Sequence, residues 1–177
     1  MHGSWARRQA RRAIVSTTVT EKLSAQVLTG KRLFYDAKDN RLALQEYLSC
    51  ATCHHDGAQD GRVWDFTGYG EGLRNTISLR GHGGTRQGPL HWSGNFDEVQ
   101  DFENQIRNFA GGTGLISGGT PHPPLGSLNA ERSPDLDALA AYVTSLTSAT
   151  PSPIAGRASR ATWATTAVVQ ANTSPAR

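Results

Sequence analysis

Three stretches of the chain repeat apolar residues at the spacing of an α-helix. In residues 24–37 four apolar side chains fall roughly on one helical face: Val27, Leu28, Leu33 and Phe34. This pattern is typical of a helix that packs against a core. The stretch also contains Gly30, and a glycine inside a helix costs about 1 kcal/mol relative to alanine. We therefore predict that another element packs closely against this glycine.

The other two helical stretches lie in the second half of the chain. Residues 95–112 carry acidic residues early, a closing Gly111 and four apolar positions at helical spacing: Val99, Phe102, Ile106 and Phe109. Residues 133–148 begin with Ser133 as a natural N-cap and Pro134 at the first helical position, which are common helix-start residues. Their apolar stripe consists of Leu136, Leu139, Val143 and Leu146.

The segment between the first two helical stretches has no hydrophobic period. Residues 57–94 are rich in glycine, which favours loops, and loops this long rarely pack well alone. A large apolar cofactor would supply the missing core. The predicted organisation is a flexible basic segment at 1–21, a mainly α domain at 22–150 with long glycine-rich loops, and a disordered tail at 151–177.

Composition and charge narrow the function classes. The 177 residues are enough for one domain with a core, 37% are hydrophobic and the mean hydropathy is -0.47. No apolar run approaches the roughly 20 residues of a membrane span. The net charge of +3 comes largely from the ends of the chain, so nucleic-acid binding has little support. The apolar stretch 13–15 is too short for a secretory leader, and no signal peptide is predicted.

The two cysteines, Cys50 and Cys53, are followed directly by His54. A redox dithiol is one interpretation, but no strand–helix–strand pattern surrounds the motif. A zinc site is a second, but it needs four ligands and would have to draw on His82 or His91, since no second C-x-x-C exists. The third is covalent attachment of haem c, for which C-x-x-C-H is the signature.

The spacing of the motif explains the third interpretation, which we favour. Two thiols three residues apart can add to the two vinyl groups of one porphyrin. The residue that follows is then held beneath the iron, where its imidazole becomes the proximal ligand. We therefore predict one covalent haem c, with Cys50 and Cys53 as anchors and His54 on the iron.

Five segments together resemble one haem domain of the bacterial dihaem cytochrome c peroxidase family. The resemblance spans about residues 29–147 and rests on GKRLFYD, YLSCATCHHDGAQDGRVWDF, GLRNTISLRG, GPLHWSGNFDEVQDFE and LDALAAYVTSL. It implies a cytochrome c-like helical domain, in which the first helix crosses the last near a small residue. Four residues match that crossing: Gly30, Phe34, Tyr142 and Leu146.

The resemblance also implies further residues beside the haem. Arg74 and Asn75 would lie next to it, and the guanidinium is a good partner for a propionate. Trp92 would pack near the haem edge. An arginine that braces a loop and a plain core aromatic remain open as alternatives for Arg74 and Trp92.

The sequence departs from the family at the second axial ligand of the iron. Many electron-transferring haems of the family use a methionine, and the only methionine here is Met1. His91, His82, Tyr69 and an open position remain. His91 is favoured because it lies about 37 residues beyond His54 and just ahead of a predicted helix, far enough to reach the other haem face.

Three functions follow from these alternatives. The first is electron transfer by a c-type cytochrome domain, with a redox protein or a second haem domain as partner. The second is a haem subunit or fragment of a dihaem cytochrome c peroxidase, which reduces hydrogen peroxide, and the third is a zinc-stabilised binding module. Because haem c is attached outside the bacterial inner membrane, we expect a periplasmic or otherwise exported protein, of which this chain is a truncated or mis-started form.

Overall fold

The computed structural model describes residues 20–149. Their α-helices are α1 (Ala25–Tyr35), α2 (Cys50–Cys53), α3 (Phe102–Asn108) and α4 (Pro134–Ser145). Short 3-10 helices lie at His55–Gly57, Thr67–Tyr69, Gly84–Gln87 and Val99–Asp101. The predicted tail at 151–177, and all but the end of the predicted basic segment at 1–21, lie outside the described residues.

The predicted fold class, a mainly α domain, is wrong. Helices of both kinds account for only 36% of the described residues, and strands and bridges for 9%. Strands β1 (Val63–Phe66) and β2 (Gly72–Asn75) pair antiparallel inside the segment predicted to be loop. Strands of four residues are too short to show an alternating pattern of apolar and polar residues. The glycines on both sides of them indicate loop, so the sequence did not predict the strand pair.

The crossing of α1 and α4 is confirmed, and it explains Gly30. A Cβ atom at Gly30 would lie 1.8 Å from the carbonyl oxygen of Ala138 and 2.9 Å from the Cβ of Tyr142. The rings of Phe34 and Tyr142 meet edge to face at 5.1 Å between centroids. Leu146 is partly buried and packs against the core around this crossing, and its Cδ1 would lie 2.7 Å from a Cβ at Gly57.

Both crossing helices begin at the residues expected of an N-cap. The Ser24 hydroxyl accepts a hydrogen bond from the backbone N–H of Val27, and the Ser133 hydroxyl accepts one from Leu136, each at 3.3 Å. These bonds satisfy donors that a helix start leaves without partners. The core around the crossing contains Leu33, Phe34, Leu42, Ile106, Leu115, Ile116, Leu136, Leu139 and Tyr142.

A buried carboxylate attaches the loop after α3 to that helix. The Glu103 side chain has no exposed surface and lies 2.9 Å from Nε of Arg107. It also accepts hydrogen bonds from the backbone N–H groups of Leu115 and Ile116. A buried charge is tolerated when it is paired and hydrogen-bonded in this way, and the loop is thereby fixed against the core. Within 20–149, no helix is long and apolar enough to cross a membrane.

Candidate functional site

The two cysteines occupy the single turn of α2. The backbone N–H of Ser49 donates to Thr52 Oγ1 at 3.0 Å at its start. The N–H of His54 donates to the carbonyl of Cys50 at 2.9 Å at its end. Both cysteines are free thiols, and Cys50 packs against the core. One turn therefore presents two thiols and, directly after them, an imidazole.

The environment of the thiols keeps them uncharged. Burial raises the pKa of Cys50 to about 11. Burial also raises the pKa of Cys53, and the carboxylate of Asp60 adds to this effect. Reactive dithiols work as thiolates with a lowered pKa, so this turn differs from an activated redox motif. A thioether sulfur carries no charge and suits such a buried place.

His54 is half-buried at the end of the turn. Its Nδ1 lies 3.4 Å from the carbonyl oxygen of Ala58, and the carbonyl of Ile77 also hydrogen-bonds the ring. Burial lowers the pKa of His54 although both carbonyls act in the opposite direction. Burial thus disfavours the charged imidazolium, and the neutral ring has one nitrogen lone pair to offer a metal.

The segment after β2 connects this turn with the loop that carries His91. The N–H of Leu79 donates to the carbonyl of Gly57 at 2.9 Å, and Ile77 contacts His54 as described. At the other end, the indole N–H of Trp92 donates to the carbonyl of Asn75 at 2.9 Å. Strand β2 and the residues that follow it therefore contact both the turn of Cys50 and Cys53 and the loop that carries His91.

His91 is the most constrained of the candidate second ligands. Its side chain is 7% exposed, and its ring stacks on Phe96 at 4.8 Å with an angle of 9°. Nδ1 lies 2.9 Å from Asn95 Oδ1 and 3.7 Å from Glu71 Oε1, while Nε2 has no hydrogen-bond partner among residues 20–149. Metal-binding histidines commonly donate one ring N–H to an oxygen acceptor in this way.

The backbone at His91 is also unusual. Its φ angle is 71°, in the left-handed region that residues other than glycine rarely adopt. Such a conformation costs of order 1–3 kcal/mol and persists only where the surroundings hold it. Here the side-chain contacts with Asn95 and Phe96 do so, and strain of this kind is concentrated at functional sites.

Arg74 has a polar atom without a protein partner. Its Nη1 donates to the carbonyl of Leu73 at 3.1 Å, and Nη2 lies 3.5 Å from Glu71 Oε2. Its Nε is buried and has no hydrogen-bond partner in the described part of the chain. A buried donor of this kind is costly unless an acceptor meets it, so the site fits a carboxylate from a bound group such as a propionate.

Asn75 and Trp92, the other two predicted haem-contact residues, differ in their contacts. The side chain of Asn75 is exposed, and its main-chain carbonyl makes the contact with Trp92. The Trp92 ring packs on Phe66 at 5.0 Å and on His91 at 4.6 Å. Trp92 is therefore an aromatic residue in direct contact with the candidate ligand His91.

The remaining candidate ligands have weaker support. Tyr69 is 57% exposed, and its ring packs on Phe66 and Phe109. His82 lies in a turn where its N–H donates to the carbonyl of Leu79 at 3.4 Å. Within 20–149, no three His, Cys, Asp or Glu side chains gather as a metal site. Haem iron needs only two axial ligands from the protein.

A cavity of about 690 Å³ lies away from these residues. It is lined by α4 and the segment around Val99 and contains none of the predicted site residues. Two residues that the sequence did not single out do belong to the candidate site, Glu71 and Asn95. Glu71 lies in the glycine-rich segment 57–94 and Asn95 at the start of the helical stretch 95–112, and only the three-dimensional contacts identify them.

Comparisons of the chain with models of known protein families, with curated proteins and with solved structures found no match. The resemblance to the dihaem peroxidase family therefore stays a prediction from short motifs. The geometry of the C-x-x-C-H turn and of His91 must support any functional proposal.

Proposed function

We propose that this chain is a c-type cytochrome that carries one covalent haem and transfers electrons. The observation that carries the proposal is the C-x-x-C-H turn itself, where two free, partly buried thiols lie on one helical turn and the imidazole of His54 follows at its C-cap. A haem c bound there takes up and releases one electron. The protein's part is to hold the haem, supply the axial ligands and shield the iron.

Each part of the candidate site has a role in this proposal. Cys50 and Cys53 would anchor the porphyrin, and His54 would bind the iron. His91 would be the second residue that binds the iron, because its Nδ1 is occupied by Asn95 while its Nε2 has no hydrogen-bond partner among the described residues. The buried Nε of Arg74, which has no hydrogen-bond partner within the described residues, would receive a propionate.

Ligation by two histidines favours an electron carrier over an enzyme. With two histidines on the iron, no position would remain for peroxide. Two nitrogen ligands would also place the reduction potential below that of a histidine–methionine cytochrome. We further propose a periplasmic or otherwise exported location, with a redox protein or a second haem domain as partner.

The His91 assignment predicts a change of spin state. His91→Ala should turn the haem high-spin, raise its potential and let the iron bind cyanide, because one nitrogen ligand is lost. His82→Ala is the control and should leave the low-spin spectrum unchanged. Absorption spectra of the oxidised and reduced forms of the two variants measure the spin state.

Other results would lead to the other functions. A low-spin spectrum that persists in His91→Ala would contradict the ligand assignment. A wild-type protein that is already high-spin and consumes added peroxide would support a haem subunit of a dihaem peroxidase instead. Stoichiometric zinc with no haem absorption would support the zinc-stabilised module.

A further inference from the structure

Glu71 lies just before β2 and contacts three polar side chains of the candidate site. Its two carboxylate oxygens lie 3.2 and 3.0 Å from the hydroxyl of Ser93. Oε2 also lies 3.5 Å from Nη2 of Arg74, and Oε1 lies 3.7 Å from Nδ1 of His91. The side chain is 17% exposed, so water screens these contacts less than it would at the surface.

His91 therefore presents its Nδ1 to two acceptors of different kinds. The amide oxygen of Asn95 is near, at 2.9 Å, and uncharged. The carboxylate of Glu71 is farther away but carries a full negative charge. Both acceptors favour a hydrogen on Nδ1, and this tautomer leaves the lone pair on Nε2.

We propose that Glu71 is a positioning residue that acts with Asn95 on the imidazole of His91. This inference rests on the proposed function. Asn95 fixes the tautomer and the plane of the ring, and Phe96 holds that plane by stacking. Glu71 places a carboxylate oxygen 3.7 Å from the same Nδ1 and so adds a negative charge beside the ring nitrogen that Asn95 holds.

The charge of Glu71 has a predictable effect on the haem. A negative charge near the iron stabilises the oxidised form, so Glu71 lowers the reduction potential. Arg74 is paired with the same carboxylate and offsets part of this effect. Replacing Glu71 by an uncharged residue of the same shape should therefore raise the potential without removing the ligand.

The experiment uses the haem-loaded protein and two isosteric changes. Glu71→Gln removes the charge but keeps an oxygen acceptor for Ser93 and Arg74. Asn95→Asp keeps the near acceptor and adds a charge to it. Glu131→Gln is the matched control, since Glu131 is exposed and has no side-chain hydrogen bond or ion pair within the described residues. The reduction potential is measured by spectroelectrochemistry and the spin state by absorption.

The two isosteric changes should move the potential in opposite directions. We expect Glu71→Gln to raise it, Asn95→Asp to lower it and Glu131→Gln to leave it unchanged, all with low-spin spectra. Asn95→Ala should loosen the ring and give a partly high-spin haem that binds cyanide faster. Asn95→Asp should restore the low-spin state that Asn95→Ala loses.

Two different failures can be told apart. If the potential in Glu71→Gln equals that of the wild type while His91→Ala still changes the spin state, Glu71 has no positioning role and the cytochrome assignment stands. If His91→Ala has no effect on the spin state, Glu71 does not act through an iron ligand, whatever its potential shift. If the Cys50→Ala/Cys53→Ala double variant keeps its haem after denaturation, the proposed function is refuted instead.

Discussion

The residues of the candidate site differ in how far the sequence alone could identify them. At the candidate site, Cys50, Cys53 and His54 could be named from the sequence because their spacing is itself the chemical signature. His91 could be ranked first among the candidate second ligands from its position alone, and this ranking stays a prediction. Glu71 and Asn95 could not be found, because their importance lies in contacts with His91 that no sequence spacing encodes.

Arg41 is a second residue whose partners the sequence did not reveal. Its guanidinium pairs with Asp39 at 2.6 Å and with Asp135, in the first turn of α4, at 2.7 Å. Hydrogen bonding from Arg41 holds the pKa of Asp39 below its ordinary value. The folded state therefore gains stability above the unfolded pKa of about 3.9, and this gain is lost as the pH falls through the lowered pKa.

Arg41→Gln should consequently destabilise the protein in a pH-dependent way. At neutral pH we expect a loss of about 1 kcal/mol or less, since the arginine is partly exposed. The difference from the wild type should shrink as the pH falls towards about 3, where Asp39 becomes protonated in the unfolded chain. Urea denaturation at several pH values measures this. Arg32→Gln, at an exposed position of α1, is the control, and a pH-independent loss would contradict the ion-pair account.

At the scale of elements, helices were predictable and the strands were not. Ser133, Pro134 and a regular apolar stripe predict helix α4, and the structure has this helix at Pro134–Ser145. Helix α3 is shorter than its apolar pattern indicates, because its first turn is the 3-10 helix at Val99–Asp101. The β1–β2 pair depends on cross-strand hydrogen bonds between short segments, and such tertiary pairing leaves little trace in local sequence.

The crossing of α1 and α4 gives a direct test at this scale. Gly30→Ala should destabilise the protein by roughly 1–3 kcal/mol, because the added methyl overlaps the backbone of Ala138 and forces the helices apart. Gly68→Ala is the matched control, since a Cβ there meets nothing within 4 Å. Thermal and urea unfolding of the two variants measures the difference. Equal stability of both variants would mean that the helices do not cross at Gly30.

At the scale of the whole molecule, the described chain leaves apolar side chains uncovered around the candidate site. Leu73 flanks Arg74, and Ile77 lies beside His54, yet both are exposed. Tyr69 and Phe109 pack on each other and are also exposed. Covering apolar surface stabilises a protein by about 25 cal/mol per Å², so a haem that covers these side chains would contribute to folding.

The haem-free protein should therefore fold poorly. We expect weak helical circular dichroism, rapid amide exchange and no sharp thermal transition, because the cofactor's share of the core is missing. The holoprotein at the same concentration is the reference. A cooperative transition in haem-free protein at a temperature similar to that of the holoprotein would show that the chain supplies its own core.

The central claim is that Cys50 and Cys53 hold a haem covalently. The most direct measurement is a pyridine haemochrome spectrum of protein made in a host with haem c maturation machinery, taken before and after denaturation and acid–acetone extraction. We predict one haem per chain that stays with the denatured wild-type protein and is extracted from the Cys50→Ala/Cys53→Ala double variant. Haem that is extracted from the wild type, or that stays equally firmly in the double variant, would contradict the account.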